Sequence, residues 1–239
     1  MYLGYAQSLA WLRHLVKEVD ARPALAAGRV VPFVIPSFPV LPDASDVVAG
    51  TPLVLGAQNC GWEDGPWTGE VSPSMLAELG VGLVEIGHAE RRRWFGESEA
   101  MIALKVRAAL EHGLTPLLCV GETERVPPAE AAAFVFGQIE SAVSGDWSLA
   151  GKLAVAYEPV WAIGAAEPAS AQFVSDVVSR LRGLLAPQDL AGLPIIYGGS
   201  AKPGLLPQLD GVSGLFLGRF AHDPVNFGRV LDEALALPS

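Results

Sequence analysis

The sequence predicts an α/β fold of repeated strand and helix units, namely a (β/α)8 barrel from which the first strand is missing. Short apolar runs typical of buried parallel strands alternate along the chain with amphipathic helical patterns. The residues are 51% hydrophobic with a mean hydropathy of +0.35, which fits a parallel sheet buried on both faces. No low-complexity linker divides the 239 residues, and one barrel commonly uses roughly 250, so we expect a single domain over 1–239.

The elements are predicted in order from hydrophobic spacing and from helix-breaking residues. Within residues 6–27, Leu9, Leu12 and Val16 recur every three or four positions, which predicts a helix at the start of the chain. A short helix is expected after Pro42. Strands are predicted at 30–35, 53–58, 83–88, 115–121, 153–158, 195–198 and 214–218, and helices near 73–80, 98–112, 129–144, 170–185, 203–209 and 224–236.

The strand count is one short of a closed barrel. Seven strands are predicted, and the helix at the start has no strand before it, whereas a closed (β/α)8 barrel has eight. Either the barrel closes with fewer strands, or the strands beside the gap keep unpaired edges. Because open edges are normally avoided, we expect instead that a strand of about ten residues precedes Met1 in the natural product.

Charge and cysteine content exclude several classes of function. Sixteen basic and 26 acidic residues give a net charge of −10, and the only basic run, 91–93, is too short to follow a nucleic acid backbone. No apolar run reaches the roughly 18 residues of a membrane-spanning helix. Cys60 and Cys119 come without a secretory signal, which predicts a cytoplasmic protein without disulfides. No metal-ligand spacing is present, and we expect neither a metal nor a cofactor.

One stretch, LAVAYEPVWAIG at 153–164, carries a carboxylate to the end of a strand. Glu158 is the last residue of the predicted strand, and Pro159 ends it because proline cannot donate the next ladder hydrogen bond. The carboxyl ends of strands are where α/β barrels and open sheets hold their chemistry. The apolar segment from Val160 to Gly164 suits a loop that folds over a ligand and excludes water.

Other strand ends carry polar groups that suit proton transfer on a phosphorylated substrate. Glu158 is placed to move a proton between adjacent carbons, and His88 is placed to donate a hydrogen bond to a carbonyl that becomes an enediolate. A helix beginning after His88 would disfavour the imidazolium. Backbone amides near Gly164, the Gly198–Ser200 turn and Gly218 suit a phosphate group. The remaining polar groups at strand ends are Gln58, Asn59, Glu90, Tyr197 and Arg219.

Six motifs, spread in order over nearly the whole chain, resemble the triosephosphate isomerase family. They are GAQNCGWEDGPWTGEVSPSMLAELG (56–80), VEIGHAERRRWFGES (84–98), CVGET (119–123), AYEPVWAIG (156–164), IIYGGSAKPG (195–204) and DGVSGLFLG (210–218). The resemblance implies a TIM barrel that interconverts dihydroxyacetone phosphate and glyceraldehyde 3-phosphate, as in glycolysis and gluconeogenesis.

The resemblance also assigns expected roles to the site residues. Glu158 is the expected base, and His88 the neutral electrophile, a pairing for which this family is the standard example. Glu90 is the expected supporting carboxylate, and Trp161 belongs to the moving lid. The expected phosphate ligands are the backbones of Gly164, Ser200, Gly218 and Arg219. A homodimer is implied through the loop at 60–70, with Thr68 near its tip.

The sequence departs from the family pattern at four places. The asparagine and lysine of the family's first strand are absent, so impaired activity is expected of the chain as it stands. Arg219 replaces the second glycine of a pair, which leaves open an outward-pointing arginine or a reshaped, more cationic pocket. The far hinge of the lid reads AAEPA at 165–169, where a proline fixes the backbone. Ala89 replaces the serine that usually follows the histidine.

These departures leave more than one function open. The default is the triose phosphate isomerisation, and the main variant is an isomerase of a four-carbon ketose phosphate, which Arg219 and the altered hinge favour. A barrel that has lost catalysis and acts as a binding or scaffold protein is the alternative from another class. A dinucleotide-binding fold is discounted because no GxGxxG follows the first strand. The expected partner is a small phosphorylated sugar.

Overall fold

The structure, a computed structural model, describes residues 2–164, 168–199 and 201–237. Its sheet has seven strands, all parallel, whose spatial order is their order in the chain. The predicted seven-strand α/β organisation is therefore confirmed, although each strand is somewhat shorter than predicted. The strands are β1 (Phe33–Val34), β2 (Val54–Ala57), β3 (Leu83–Ile86), β4 (Thr115–Val120), β5 (Ala154–Tyr157), β6 (Ile195–Tyr197) and β7 (Gly214–Leu215).

Helices precede β1 and follow most of the strands. Within the described residues they are α1 (Tyr5–Asp20), α2 (Leu41–Val48), α3 (Pro73–Glu78), α4 (Ala89–Phe95), α5 (Glu99–Glu111), α6 (Pro128–Ala142), α7 (Trp147–Ala150), α8 (Ala171–Leu185) and α9 (Pro224–Ala236). Shorter 3₁₀ segments lie at Pro23–Ala27, Phe38–Val40, Val160–Ala162, Ala186–Gln188, Leu206–Gln208 and Arg219–His222.

Two of the predicted helices are wrong in extent. The helix predicted near 203–209 is only the 3₁₀ turn Leu206–Gln208, because Gly204 has a left-handed backbone (φ +86°) and Pro207 cannot donate a helical hydrogen bond. The first helix, whose apolar spacing predicts a helix over 6–27, ends at Asp20, close to Pro23, since a residue that precedes proline is disfavoured in helical conformation. The short helix α7 was not predicted.

The two outer strands, β1 and β7, approach each other through their side chains. The rings of Phe33, on β1, and Phe216, just after β7, lie 5.8 Å apart between centroids. Outside the sheet, α1 packs on α9 and on the 3₁₀ segment before it. Trp11 Nε1, on α1, donates to the Ala221 carbonyl of that segment at 2.7 Å, and Arg22, just after α1, forms an ion pair with Asp232 of α9 at 2.7 Å. Among the described residues neither outer strand pairs with a further strand, and the strand expected before Met1 stays a prediction.

The sheet separates two apolar cores. The larger core lies between the outer face of the sheet and the helices, and it includes Val84, Leu118 and Val155. The smaller core lies inside the curved sheet, where Leu83, Leu117 and Ala156 meet. Since side chains alternate along a strand, the residues two positions beyond these point inward as well, nearer the carboxyl ends of the strands. No helix in the described part of the chain is long and apolar enough to cross a membrane.

Candidate active site

Glu158 follows β5 in a space that two glycines leave open. Its backbone N–H donates to the Val120 carbonyl at 2.8 Å. A Cβ at Gly121 would lie 1.8 Å from the Glu158 carbonyl oxygen, so only glycine lets the two strand ends approach this closely. The Glu158 side chain in turn rests on Gly198, where a Cβ would lie 2.3 Å from its Oε1. Neighbouring strands thus fix both the backbone and the carboxylate of this residue.

The Glu158 carboxylate is buried and weakly partnered. The residue is 7% exposed, and its Oε2 has no hydrogen-bond partner among the described residues. Burial raises the pKa of this carboxyl, while the nearby His88 ring acts in the opposite direction. A carboxylate that has lost its water is a stronger base than one at the surface.

His88 faces Glu158 from the N-cap position of α4. Its Nδ1 accepts a hydrogen bond from the Glu90 backbone N–H at 3.2 Å. In a neutral imidazole the other nitrogen then carries the proton. That nitrogen, Nε2, lies 3.6 Å from Glu158 Oε2 and 3.8 Å from Glu85 Oε1. The structure therefore brings the predicted pair together, with His88 Nε2 3.6 Å from the Glu158 carboxylate and no hydrogen bond between them.

Glu90 occupies a different position from that pair. Its side chain is 72% exposed, and its carboxylate lies 4.0 Å from Nδ1, on the far side of the ring from Glu158. The closest contact of the residue with His88 is its backbone N–H. The structure thus places Glu90 where it holds the ring orientation, with its carboxylate directed toward solvent.

The expected phosphate ligands are only partly described. Gly164 has a left-handed backbone (φ +71°), and Gly218 is the N-cap of the 3₁₀ segment Arg219–His222. The Arg219 guanidinium lies 5.9 Å from the ring centroid of Tyr2, a surface residue, so its side chain points outward as one of the two interpretations of Arg219 expects. Ser200 and residues 165–167 of the hinge lie outside the described residues.

Two carboxylates of the site were not assigned a role from the sequence. Glu122 is 2% exposed and accepts hydrogen bonds from Trp161 Nε1 at 2.7 Å and Tyr157 Oη at 3.2 Å. Burial raises its pKa, and these hydrogen bonds oppose the shift. Glu85 is the second, and its spacing of two from Leu83 predicts only that these two side chains share one face of the strand. Nothing in a strand buried on both faces tells which face is inward, so that signal was ambiguous.

The loop at 60–70 extends from a buried polar network. Lys105, which is fully buried, donates to Glu97 and, at 2.8 Å, to Asn59 Oδ1. Asn59 donates to Glu70 at 3.1 Å, at the far end of the loop. Residues 63–70 are exposed in the single chain. The network ties both ends of the loop to the barrel and leaves its tip free.

The fold and the site are those of an α/β barrel with a buried carboxylate facing an imidazole at the carboxyl ends of its strands, and its relatives place it in the isomerase class of enzymes. A family model described as triosephosphate isomerase matches residues 1–234. The chain belongs to the triosephosphate isomerase family, which confirms the resemblance and the TIM barrel.

Known relatives cover nearly all of the chain. An L-erythrulose-1-phosphate isomerase of Pectobacterium atrosepticum is 47% identical, over 100% of this chain and 94% of the relative. One of the same name from Mycolicibacterium smegmatis is 41% identical, over 100% and 91%. A triosephosphate isomerase of a Synechococcus species is 37% identical, over 99% and 95%. The crystal structure of triosephosphate isomerase from Bartonella henselae superimposes with a TM-score of 0.82 at 30% identity, covering 97% and 94%.

Proposed function

We propose that this protein isomerises a four-carbon ketose 1-phosphate by moving a proton between two adjacent carbons. The observation that supports the proton transfer is the 3.6 Å approach of His88 Nε2 to the buried Oε2 of Glu158. The choice of four carbons is supported by the relatives named L-erythrulose-1-phosphate isomerase, at 47% and 41% identity.

The chemistry of that substrate suits one base and one neutral hydrogen-bond donor. L-erythrulose 1-phosphate has a carbonyl at C2 and hydroxyl groups at C3 and C4. Glu158 removes the proton on C3, and His88 Nε2–H stabilises the enediolate that forms across C2 and C3. Glu158 returns the proton to C2, while His88 gives its Nε2 proton to O2 and takes the hydroxyl proton from O3, which leaves the carbonyl on C3. Atoms and charge balance without an oxidant, and dihydroxyacetone phosphate reacts in the same way with a hydrogen in place of the terminal hydroxymethyl group.

The local contacts of His88 decide which of its ring nitrogens donates to the substrate. Its Nδ1 accepts a backbone N–H at the start of α4, and an imidazolium has no acceptor nitrogen. A neutral donor matches the acidity of an enediol more closely than a cationic one does. The phosphate is assigned to backbone amides near Gly164, Gly199 and Gly218, which present partial positive charge without lysine side chains.

The triose phosphate pair is the second candidate. It is favoured by the motifs of the chain and by the Synechococcus relative named triosephosphate isomerase, at 37% identity. A barrel without catalysis, acting as a scaffold, is the third, and it predicts turnover of neither substrate.

Steady-state kinetics on both substrates distinguish these candidates. We expect kcat/KM for L-erythrulose 1-phosphate to exceed that for dihydroxyacetone phosphate by about 100-fold. Glu158→Gln removes the base and is expected to lower both values by roughly 10³-fold. A preference for the triose would overturn the choice of substrate, and wild-type activity retained in Glu158→Gln would overturn the assigned base.

We also infer a homodimer formed through the loop at 60–70. In the single chain this loop exposes residues 63–70, including Trp67, whose ring packs edge-on against Trp62 at 4.6 Å. An exposed tryptophan on a loop held at both ends is typical of an interface. Sedimentation is expected to give twice the 25.1 kDa chain mass, and Trp67→Asp to give the monomer. A wild-type monomer would refute the inference.

A further inference from the structure

Glu85 brings a second carboxylate to the interior side of the candidate site. It lies on β3, two residues beyond Leu83 of the inner core, and it is 8% exposed. Its Oε1 is 3.8 Å from His88 Nε2, the same nitrogen that lies 3.6 Å from Glu158 Oε2. His88 Nε2, which is expected to donate to the reacting oxygens of the substrate, therefore lies near two carboxylates. The proposed proton transfer uses only one of them, Glu158.

Glu85 resembles Glu158 in lacking a strong partner and differs in this from the buried carboxylates Glu97 and Glu122. Glu97 pairs with Lys105 and Arg91, and Glu122 accepts from Tyr157 and Trp161. Within the described residues Glu85 accepts only from the Cys119 thiol, with 3.8 Å between the heavy atoms, and a thiol is a weak donor.

A buried carboxyl without a strong partner costs free energy unless another group binds it. Burial raises the pKa of Glu85 to about 7, so near neutral pH this carboxyl is available both as a donor and as an acceptor.

The position of β3 indicates which end of a substrate meets Glu85. The groups assigned to the phosphate follow β5, β6 and β7, whereas β3 is two to four strands away in the sheet. A substrate held by its phosphate at those strands directs its other end toward β3. In a four-carbon ketose 1-phosphate that end is the C4 hydroxymethyl group, which is attached to one of the two reacting carbons. A triose phosphate has a hydrogen there.

We propose that Glu85 binds the terminal hydroxyl of the four-carbon substrate and thereby determines the chain length that the enzyme prefers. This inference rests on the proposed function, because it assigns the end of that substrate to a residue of the same site. The 3.8 Å between Glu85 Oε1 and His88 Nε2 leaves both groups able to contact one substrate, with His88 on the central oxygens and Glu85 on the terminal one.

Binding of unreactive analogues tests the proposal independently of turnover. Glycerol 3-phosphate and erythritol 4-phosphate have no carbonyl and differ by one hydroxymethylene unit. Calorimetry is expected to show that the wild type binds the four-carbon analogue at least about tenfold more tightly, the value of one hydrogen bond to a charged group. Glu85→Leu is expected to abolish this preference, and Glu85→Gln, which keeps the size of the side chain, to reduce it about threefold or more.

A matched control leaves the carboxyl in place and removes its neighbour. Cys119→Ala deletes the thiol donor and is expected to keep the affinity ratio within about threefold of wild type. Thermal unfolding reports whether each variant folds. If Glu85→Leu does not fold, the ratio in Glu85→Gln decides. An unchanged ratio in the Glu85 variants overturns the proposal.

Kinetics separate substrate recognition from a merely structural role. Glu85→Leu is expected to lower kcat/KM for L-erythrulose 1-phosphate about 30-fold, while the value for dihydroxyacetone phosphate stays within about threefold. A parallel loss on both substrates would show that Glu85 acts through His88 or the fold, and would overturn the proposal. If the wild type turns over only the triose, the proposed function fails, and the analogue binding still decides the role of Glu85.

Discussion

Replacing Gly198 by alanine tests whether the contact of Glu158 with this glycine positions the proposed base. The added Cβ would lie 2.3 Å from Glu158 Oε1, 2.4 Å from Cγ and 2.7 Å from Cδ, whereas ordinary van der Waals contact begins at 3.4 Å. The carboxyl group must therefore move by about 1 Å. A displacement of this size at a reacting group costs on the order of 10²-fold in rate.

Stability responds differently from activity in this variant. The atoms that the Cβ meets are the far end of a side chain, and Gly198 does not have the left-handed backbone that disfavours alanine. Replacing glycine also lowers the entropy of the unfolded chain, which offsets about 0.4–1 kcal/mol of the strain. We expect Gly198→Ala to change the free energy of unfolding by no more than about 1 kcal/mol.

Two other glycines give matched controls. Gly137, in α6, has no atom within 4 Å of a built Cβ, so Gly137→Ala is expected to leave kcat/KM unchanged and to stabilise the helix by about 0.5–1 kcal/mol. Gly121→Ala places a Cβ 1.8 Å from the Glu158 carbonyl oxygen, which is backbone, so we expect loss of folding. Urea unfolding and the isomerase assay measure both quantities. The reasoning fails if Gly198→Ala folds and keeps kcat/KM within about threefold of wild type.

Three further predictions concern buried polar groups. Burial raises the folded-state pKa of Glu85 from 4.5 to about 7. Between these pH values the folded protein holds a proton that the unfolded chain releases, so the free energy of unfolding falls as pH rises. Urea unfolding should show a loss of roughly 3 kcal/mol over this range in the wild type and none of it in Glu85→Gln, and an equal loss in the variant would contradict the assignment. Lys105→Met removes one of the two cations that pair with the buried Glu97 and leaves only Arg91, so it is expected to cost about 3 kcal/mol, the lower end for breaking a buried ion pair. Part of this loss is expected to return with Glu97→Gln, and an additive double variant would contradict the coupling. Trp161→Phe removes the 2.7 Å hydrogen bond from the Trp161 indole to Glu122. Because Trp161 belongs to the predicted lid, steady-state kinetics should show kcat and KM changing together, and unchanged values would contradict a lid role.

The strand ends show how far the sequence alone predicts this site. The sequence predicts Glu158 at a strand end because Pro159 stops the strand, and it predicts His88 there because a buried run precedes it. In the structure Glu158 directly follows β5 and His88 lies two residues after β3. Parallel strands bring all such ends to one edge, so two residues 70 positions apart become neighbours without any knowledge of packing. The prediction of a helix near 203–209 was wrong for a local reason as well, because Gly204 and Pro207 disfavour the helix that the apolar spacing predicts.

Other features depend on contacts that no local pattern encodes. Whether Glu85 points into the barrel or toward the helices depends on the curvature of the whole sheet, because β3 is buried on both faces. The hydrogen bond between Glu122 and Trp161 joins residues 39 positions apart, and Arg219 meets Tyr2 across nearly the entire chain. The sequence by itself determined the order of strands and helices and the position of Glu158 and His88 at strand ends, since these follow from propensity, periodicity and chain breakers acting over a few residues. Only the tertiary structure decided which side chains surround that pair, because their positions depend on how distant strands pack.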